Sequence, residues 1–466
     1  MNNFQLSEQA DPNKIFLTKF SELEGRFDPN TYHPIRRNAI NKIINSKFNY
    51  QILRELSDFS KKTTKHIDNN VYIGLENIES NTGIFIKSKE RENISSAIVF
   101  KKGQVLFPKL RPYLNKVHYA NFDGICSTEF HVLDSEYLNN KFLAYFLSLE
   151  IVVKQTTLLM SGNTLPRLQT EDIKNLLIPI PSEKVQADIV EKMDKAYQDK
   201  KDKETQAQKL LDSIDKYLLD ELGINFPKQT DNSLKTRIFI KKFSEVAGGR
   251  LDAEYYQKKY IDFDYSLNNA KYKISNIDNI ITSIVSGSTP KSGGSAYQDN
   301  GKYHFIRLTN FNNSMEVDLS KSLFIKQNIH YEFLERSKLK KGDVLFGIAG
   351  SIGKIAIYNH NENANINQAI ARLRFKDNIN YIYVAYLLDS NILKYQIERN
   401  KRPIAQPNLN TEELKSLKIP LPPIEKQNQI AKRISKIRNQ VKQLQTEAKN
   451  GLEQAKHEVE IMILKG

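Results

Sequence analysis

Two long stretches of this chain place apolar residues at alternating steps of four and three. In the first, Ile189, Met193, Ala196, Lys200, Lys203, Ala207, Leu210, Ile214 and Tyr217 form the series, with the two lysines interrupting its middle. The second runs Ile430, Ile434, Ile437, Val441, Leu444, Ala448, Leu452, Ala455, Val459 and Met462, with one four-residue stutter after Ala448. An average step of 3.5 is a heptad seam, which predicts helices over residues 183–222 and 424–466. Each helix is about 38 residues, hence roughly 57 Å long at about 1.5 Å per residue. Two helices of matching length most simply bury their seams against each other. Two unrelated surface helices are the alternative.

Elsewhere the pattern is shorter. Strand-like runs such as NISSAIVF, KYHFIRL and DVLFGIA alternate with helical segments such as LNNKFLAYFLSLEIVVKQ. This predicts mixed α/β or α+β globular domains. GINFPKQTDNSLKTR, from Gly223, joins a helix stop to a polar stretch and reads as a linker. The expected layout is a globular domain over 1–182, a helix over 183–222, a linker over 223–236, a second globular domain over 237–423 and a helix over 424–466.

The chain repeats itself. LPRLQTEDIKNLLIPIPSEKVQADIV from Leu165 aligns with QPNLNTEELKSLKIPLPPIEKQNQIA from Gln406, with 11 identities in 25 positions, Pro166/Pro407 and Gln186/Gln427 among them. In the same order GRFD at Gly25 matches GRLD at Gly249, YIGLENI matches FIRLTNF, KKGQVLF matches KKGDVLF, and FLAYFL matches YVAYLL. The offsets grow from 224 to 241, so the second copy carries 17 further residues in its loops.

VLFGIAGSIGKIAIY, residues 344–358, looks at first like a phosphate-binding loop. The spacing fails: Gly347 and Gly353 enclose five residues, Ile355 follows Lys354 in place of Ser or Thr, and a β-branched run follows in place of a helix. Two strands joined by a glycine-rich turn are predicted instead. Its counterpart in the first copy is VLFPKLRPYLNKVHY, where Pro108, Lys109, Arg111 and Pro112 replace the glycines and Lys116 stands opposite Lys354. A loop rebuilt between copies of one scaffold points to recognition, since scaffolds persist while loops carry variable function.

With 466 residues, 39% hydrophobic and 26% charged, the chain reads as a globular protein of two or three domains. No run of about eighteen apolar residues predicts a membrane span, and the polar start MNNFQLSEQADPNK is unlike a secretory signal. Cys126 is the single cysteine, which excludes an internal disulfide and fits the cytoplasm. The eight histidines show no metal-binding spacing. Net charge is +15. The two long helices hold 17 basic and 16 acidic residues, leaving 52 basic against 38 acidic elsewhere. An excess of 14 on the globular parts points to a polyanionic partner.

In this order the motifs resemble the specificity subunit of a Type I restriction-modification system (HsdS family). The likeness rests on SGSTPKSGGSAYQDNGKYHFIRLTNF from Ser286, on KKGDVLFGIAGSIGKIAI with NQAIARL from Asn367, and on the twice-used L-x-T-E-[DE]-[IL]-K-x-L with IPxP and a long helix. The first copy departs from it at PIPSEK and in its rebuilt loop. The resemblance implies two target recognition domains held apart by two antiparallel helices, each domain reading half of a bipartite, asymmetric site on double-stranded DNA. It further implies two docked methyltransferase subunits and, through them, restriction subunits. Adenine-N6 methylation and ATP-driven cleavage would belong to those partners, with SAM, ATP and Mg bound there and no cofactor on this chain.

The residues agree with a chain lacking its own chemistry: it has no [DNS]PP[YF], no GxGxxG and no metal set. An E-x-K at Glu413–Lys415 lies in a repeated helical segment and reads as a solvated face. A free-standing enzyme, a related Type II-like or methylation-based phage-defence subunit, and a coiled-coil scaffold without DNA contact are the competing readings. The scaffold leaves the basic excess unassigned. Donor side chains in the loops supply the candidate DNA contacts. These are Lys109, Arg111, Asn115 and Lys116 in the first domain, and Ser288, Thr289, Lys291, Arg307, Asn310, Ser351, Lys354, Asn367 and Gln368 in the second. At each position an ordinary solvated loop residue is the alternative. Gly287 and Gly350 are expected to set backbone conformation.

Overall fold

The computed structural model describes residues 6–7, 11, 14–23, 27–60, 62–65, 71–87, 96–161, 164–227, 238, 240–246, 252–291, 295–400 and 408–465. Much of the expected linker, parts of GRFD and GRLD, and Pro407 lie outside the described residues. The chain forms two compact units, Met1–Asp202 with Glu447–Gly466, and Lys203–Thr446. The long helices run Glu183–Leu222 and Ile424–Leu464, and the division between units falls within each of them.

In the first unit the strands Asp58–Ser60, Phe130–Asp134, Val105–Pro108 and His118–Tyr119 form an antiparallel sheet in that order. The strand Val105–Pro108 is buried throughout because it has a core on each side. Val105 and Phe107 face a core shared with the helices Asn140–Leu147 and Glu150–Thr156, while Leu106 faces a second core with Ile73, Phe100 and Cys126. A period of two sorts neighbouring residues into separate layers. The second core lies on the sheet Thr63–Thr64, Ala97–Phe100, Gly124–Cys126 and Tyr72–Ile73, whose last pair is parallel.

The other unit repeats this plan. Ile281–Ser286, Ile370–Phe375, Asp343–Gly347 and Ile355–Tyr358 form its antiparallel sheet, and Val344 and Phe346 face one core while Leu345 faces another. Tyr303–Ile306 and Asn363–Ile366 form the parallel pair. The extra chain of this copy appears here: Tyr297–Gln298 and Leu323–Ile325 extend the sheet beyond Tyr303–Ile306. The stretch matching Ala97–Phe100 shrinks to one bridge, Lys338 with Asn365.

The heptad seams are buried within each unit. Ile189 and Met193 share the first unit's core with Leu452, Ala455, Val459 and Ile463, and Lys192 pairs with Glu458. In the second unit Ile214, Leu218 and Leu222 pack in a core with Ile430, Ala431 and Ile434. Lys426 meets Glu221 at 2.5 Å and the Arg433 guanidinium lies 4.4 Å from the Tyr217 ring centre, so numbering rises on one helix as it falls on the other. Lys200, an interruption in the sequence pattern, is only 7% exposed, with its ammonium 3.7 Å from Glu79. Beside it the Tyr197 hydroxyl and the Lys456 ammonium donate to the carbonyls of Thr82 and Asn81. A loop of the globular part thus fills the gap in the seam.

The residues kept between copies make the same bonds twice. Gln186 Oε1 accepts from Asn139 N at 2.9 Å and its Nε2 donates to Pro181 O at 2.9 Å. Gln427 does the same with Asn380 N at 3.0 Å and Pro422 O at 2.9 Å. Each glutamine brackets the start of a core helix to the PxP turn that opens a long helix. In the KKG turns, Gln104 Oε1 accepts from Lys101 N at 2.8 Å and Asp343 Oδ2 from Lys340 N at 2.7 Å. Across the strand their partners exchange chemistry: Gln104 donates to Asp134, whereas Asp343 accepts both bonds of the Arg374 fork.

Candidate nucleic-acid interface

In both units the first strand of the parallel pair runs into a single 3-10 turn, Leu75–Asn77 and Leu308–Asn310. Asn77 Oδ1 accepts from Gly74 N and Asn310 Oδ1 from Arg307 N, each at 2.8 Å. The retained lysine braces this turn. Lys116 Nζ donates to Leu75 O at 2.7 Å, and Lys354 Nζ to Leu308 O at 3.2 Å and Phe311 O at 2.9 Å. The lysine that a phosphate loop would aim at a nucleotide is therefore bound to backbone carbonyls. Gly347 and Gly353 lie at the end of one strand and in the turn before the next, as the sequence pattern predicts.

These bonds correct four of the candidate contacts. Asn310 has no exposed surface, so its amide cannot reach a groove. Asn115 is 7% exposed and its Nδ2 donates to Ser148 O at 2.8 Å. Lys116 and Lys354 act as internal ties, and burial holds the Lys116 ammonium below its ordinary pKa. Retention between copies marked the scaffold here, and the variable positions lie around it.

In the first unit those positions are Lys109, Arg111 and Arg167. Arg111 is exposed, with a left-handed backbone (φ +50°) fixed by its N–H donating to Pro166 O at 2.8 Å. Lys109 Nζ donates to Thr128 O at 2.7 Å; burial lowers its pKa and the Glu129 carboxylate opposes that shift. Arg167 pairs with the same carboxylate at 2.5 Å and is half exposed. Sequence reasoning missed Arg167. The available signal was a position that changes, Arg167 to Asn408, inside an otherwise duplicated stretch.

In the second unit the sheet connections draw four loops together. Asn367 N donates to Ile306 O and Gly287 N to Ile370 O, both at 3.1 Å, and the Thr289 hydroxyl donates to Gln368 Oε1. Ser288, Thr289, Lys291, Ser351 and Gln368 are exposed, and Arg307 and Asn367 are half buried. Arg307 Nε and Asn367 Oδ1 are buried with no hydrogen-bond partner among the described residues. A Cβ on Gly287 would lie 2.1 Å from Ile366 O, and Gly350 has φ +71°, so both glycines are required by the backbone. The result is a surface of hydroxyls, amides and cations, the groups that bond phosphates and base edges.

Among the described residues no three His, Cys, Asp or Glu side chains gather as a metal site. Glu413 closes a capping box with Asn410, its carboxylate accepting from Asn410 N at 2.9 Å. Burial pushes the Cys126 thiol up to about 12 and the His131 imidazole down to about 4. Among the described residues no single helix is long and apolar enough to cross a membrane.

The family profile described as Type I restriction modification DNA specificity domain matches residues 53–212 and 269–454. The chain belongs to this family of DNA specificity proteins. The EcoBI specificity subunit of Escherichia coli is 26% identical over 308 residues, covering 63% of this chain and 58% of that protein. The putative MjaX specificity subunit of Methanocaldococcus jannaschii is 33% identical over 178 residues, 36% of this chain and 40% of that protein. The chain thus spans about half the length of the curated relatives it matches. A solved chain from a type I R-M system is 19% identical, with 89% of this chain and 96% of that one covered at a TM-score of 0.49.

Proposed function

We propose that this chain is the DNA-reading subunit of a Type I restriction-modification enzyme and carries no catalytic group of its own. Each unit reads one half of a bipartite, asymmetric site on double-stranded DNA. Lys109, Arg111 and Arg167 serve one half; Ser288, Thr289, Lys291, Arg307, Ser351, Asn367 and Gln368 serve the other. Two methyltransferase subunits place N6-methyl groups on adenine, and restriction subunits join through them. SAM, ATP and Mg belong to those partners. One observation carries the reading: both units keep the same braced turn while the exposed donors around it are replaced. A catalytic site would retain its reacting groups, whereas a reader of two different half-sites must vary them.

The test is an exchange of residues 14–160 for the matching part of a relative, followed by sequencing of the methylated sites. One half of the site is expected to change and the other to stay. A change in both halves would refute the assignment of one half to each unit.

A further inference from the structure

Three charged side chains of the first unit stand on a backbone frame that the second unit builds without them. Lys109 N donates to Glu129 O at 2.8 Å and Leu168 N to Lys109 O at 2.9 Å. In the second unit Ile348 N donates to Ala369 O at 2.8 Å and Leu409 N to Ile348 O at 3.0 Å. Arg167 bridges Leu110 as Asn408 bridges Ala349. On equal frames, Lys109, Glu129 and Arg167 are thus replaced by Ile348, Ala369 and Asn408. The frame itself does not call for the charges.

The carboxylate is the informative member. On a surface that meets only phosphates a cation serves best alone, because an anion beside it weakens the attraction and adds repulsion. Nor is the pair arranged as a scaffold tie. Asp343, with a side chain only 1% exposed, uses both oxygens on the Arg374 fork, at 2.8 and 2.7 Å. Glu129 gives Arg167 Nη2 one oxygen, Oε1, at 2.5 Å, and its Oε2 is buried with no hydrogen-bond partner among the described residues. A buried oxygen left unbonded costs stability, so the arrangement is not the one that folding alone would favour. What it provides is a guanidinium fixed at one N–H while its side chain stays 51% exposed. A planar fork held at one corner and open at the other can give two parallel N–H bonds to guanine O6 and N7.

We infer that Arg167 reads the O6 and N7 edge of a guanine in the half-site of the first unit, an assignment that rests on the DNA-reading function proposed above. Glu129 is its positioning residue: the carboxylate aims the guanidinium and turns it away from phosphate. Lys109, tied to Thr128 O at 2.7 Å, keeps the group of three charges positive overall.

The experiment uses the full chain assembled with its methyltransferase subunits. Sequencing of the methylated DNA gives the site, and the exchange described above shows which half belongs to the first unit. Duplexes with each base pair of that half replaced in turn, and a duplex lacking the site, are titrated at two salt concentrations. Wild type is expected to lose about tenfold to a hundredfold in affinity when the guanine read by Arg167 is replaced. Arg167→Lys keeps the charge without the fork, so it should bind that duplex and the replaced one within about threefold of each other, with discrimination at the other positions and the salt dependence unchanged. Glu129→Ala should level the same two duplexes and tighten binding to the duplex lacking the site, by about threefold to tenfold at low salt. Glu129→Gln still offers an oxygen to Arg167 and should restore most of the discrimination while keeping the tighter background. Should Glu129→Ala fail to fold, Arg167→Lys and Glu129→Gln carry the comparison. Variants that shift the melting temperature but discriminate as wild type does at every position overturn the inference. So does a half-site without a G·C pair, or an Arg167→Lys chain weakened on all duplexes alike, the mark of a phosphate contact. Each of these leaves the proposed function standing. A wild-type assembly that binds every duplex equally refutes the proposed function, and this inference with it.

Discussion

Gln427 offers a quantitative test of why the two copies keep the same residues. It is 2% exposed, and its amide both accepts from Asn380 N and donates to Pro422 O. Gln427→Ala leaves a part-buried donor and a buried acceptor without this partner, at about 1–3 kcal/mol each, so roughly 2–6 kcal/mol of stability is lost. Gln427→Glu is more informative because it keeps the shape. The ionised carboxylate still accepts from Asn380 N but faces the Pro422 carbonyl without a proton to offer. Burial raises its pKa above the ordinary value of about 4.3. The protonated side chain regains the donor, so the stability it contributes is present at low pH and is lost as pH rises through the raised pKa. The Gln427→Glu chain is therefore expected to unfold at lower urea than wild type at pH 8, with the gap closing as pH falls towards 5. Hydrogen exchange should report the opening at helix Tyr381–Asp389, whose N-cap is Asn380. Gln186→Glu should behave alike at Asn140–Leu147. A cost below about 0.5 kcal/mol for Gln427→Ala, the range of ordinary surface changes, or a Gln427→Glu gap that ignores pH, would refute the bracket.

Arg307→Ala should weaken binding to the second half-site by about 1–3 kcal/mol with the melting temperature unchanged, whereas Lys354→Met should lower the melting temperature because two carbonyl ties are lost; DNA titration beside thermal unfolding separates them. Seven residues inserted near Lys203 and seven more near Leu444 keep both seams in phase and add about 10 Å. Methylome sequencing should then find the same half-sequences with a spacer longer by about three base pairs at roughly 3.4 Å each. For His131, held neutral with a pKa near 4, stability is full above the ordinary value of 6.5 and falls as pH drops through that window. His131→Gln should flatten this part of the melting-temperature profile.

The periodic parts of the fold were plain in the sequence because they depend on local spacing. Ile189, Met193, Ile214, Ile430, Val441 and Val459 are buried as the heptad places them, and the loop at Gly347–Gly353 lies between the strands its pattern predicts. What the sequence hid depends on contacts between distant residues. Lys200 looked like a flaw in a seam, since nothing near it announces that Glu79 and the loop at Asn81 come to cover it. Lys116 and Lys354 looked like groups aimed at phosphate because a lysine beside a rebuilt loop has the same letters whether it meets DNA or a carbonyl. Only the turn that places Leu75 O and Leu308 O within reach decides between them. Arg111, Ser288 and Gln368 are exposed, and Gln368 accepts from the neighbouring Thr289 hydroxyl.

The division of the long helices between units has a consequence for synthesis. The unit containing the N-terminal part draws Leu452, Ala455, Val459 and Ile463 into its core, whereas Lys203–Thr446 is continuous. On the ribosome, the part that emerges first must hold Ile189 and Met193 without their facing partners until the last stretch arrives. At about 5–20 residues per second the wait is on the order of 10 to 50 s. Over that interval the continuous unit can complete itself, so the half translated second closes first and the half translated first closes last.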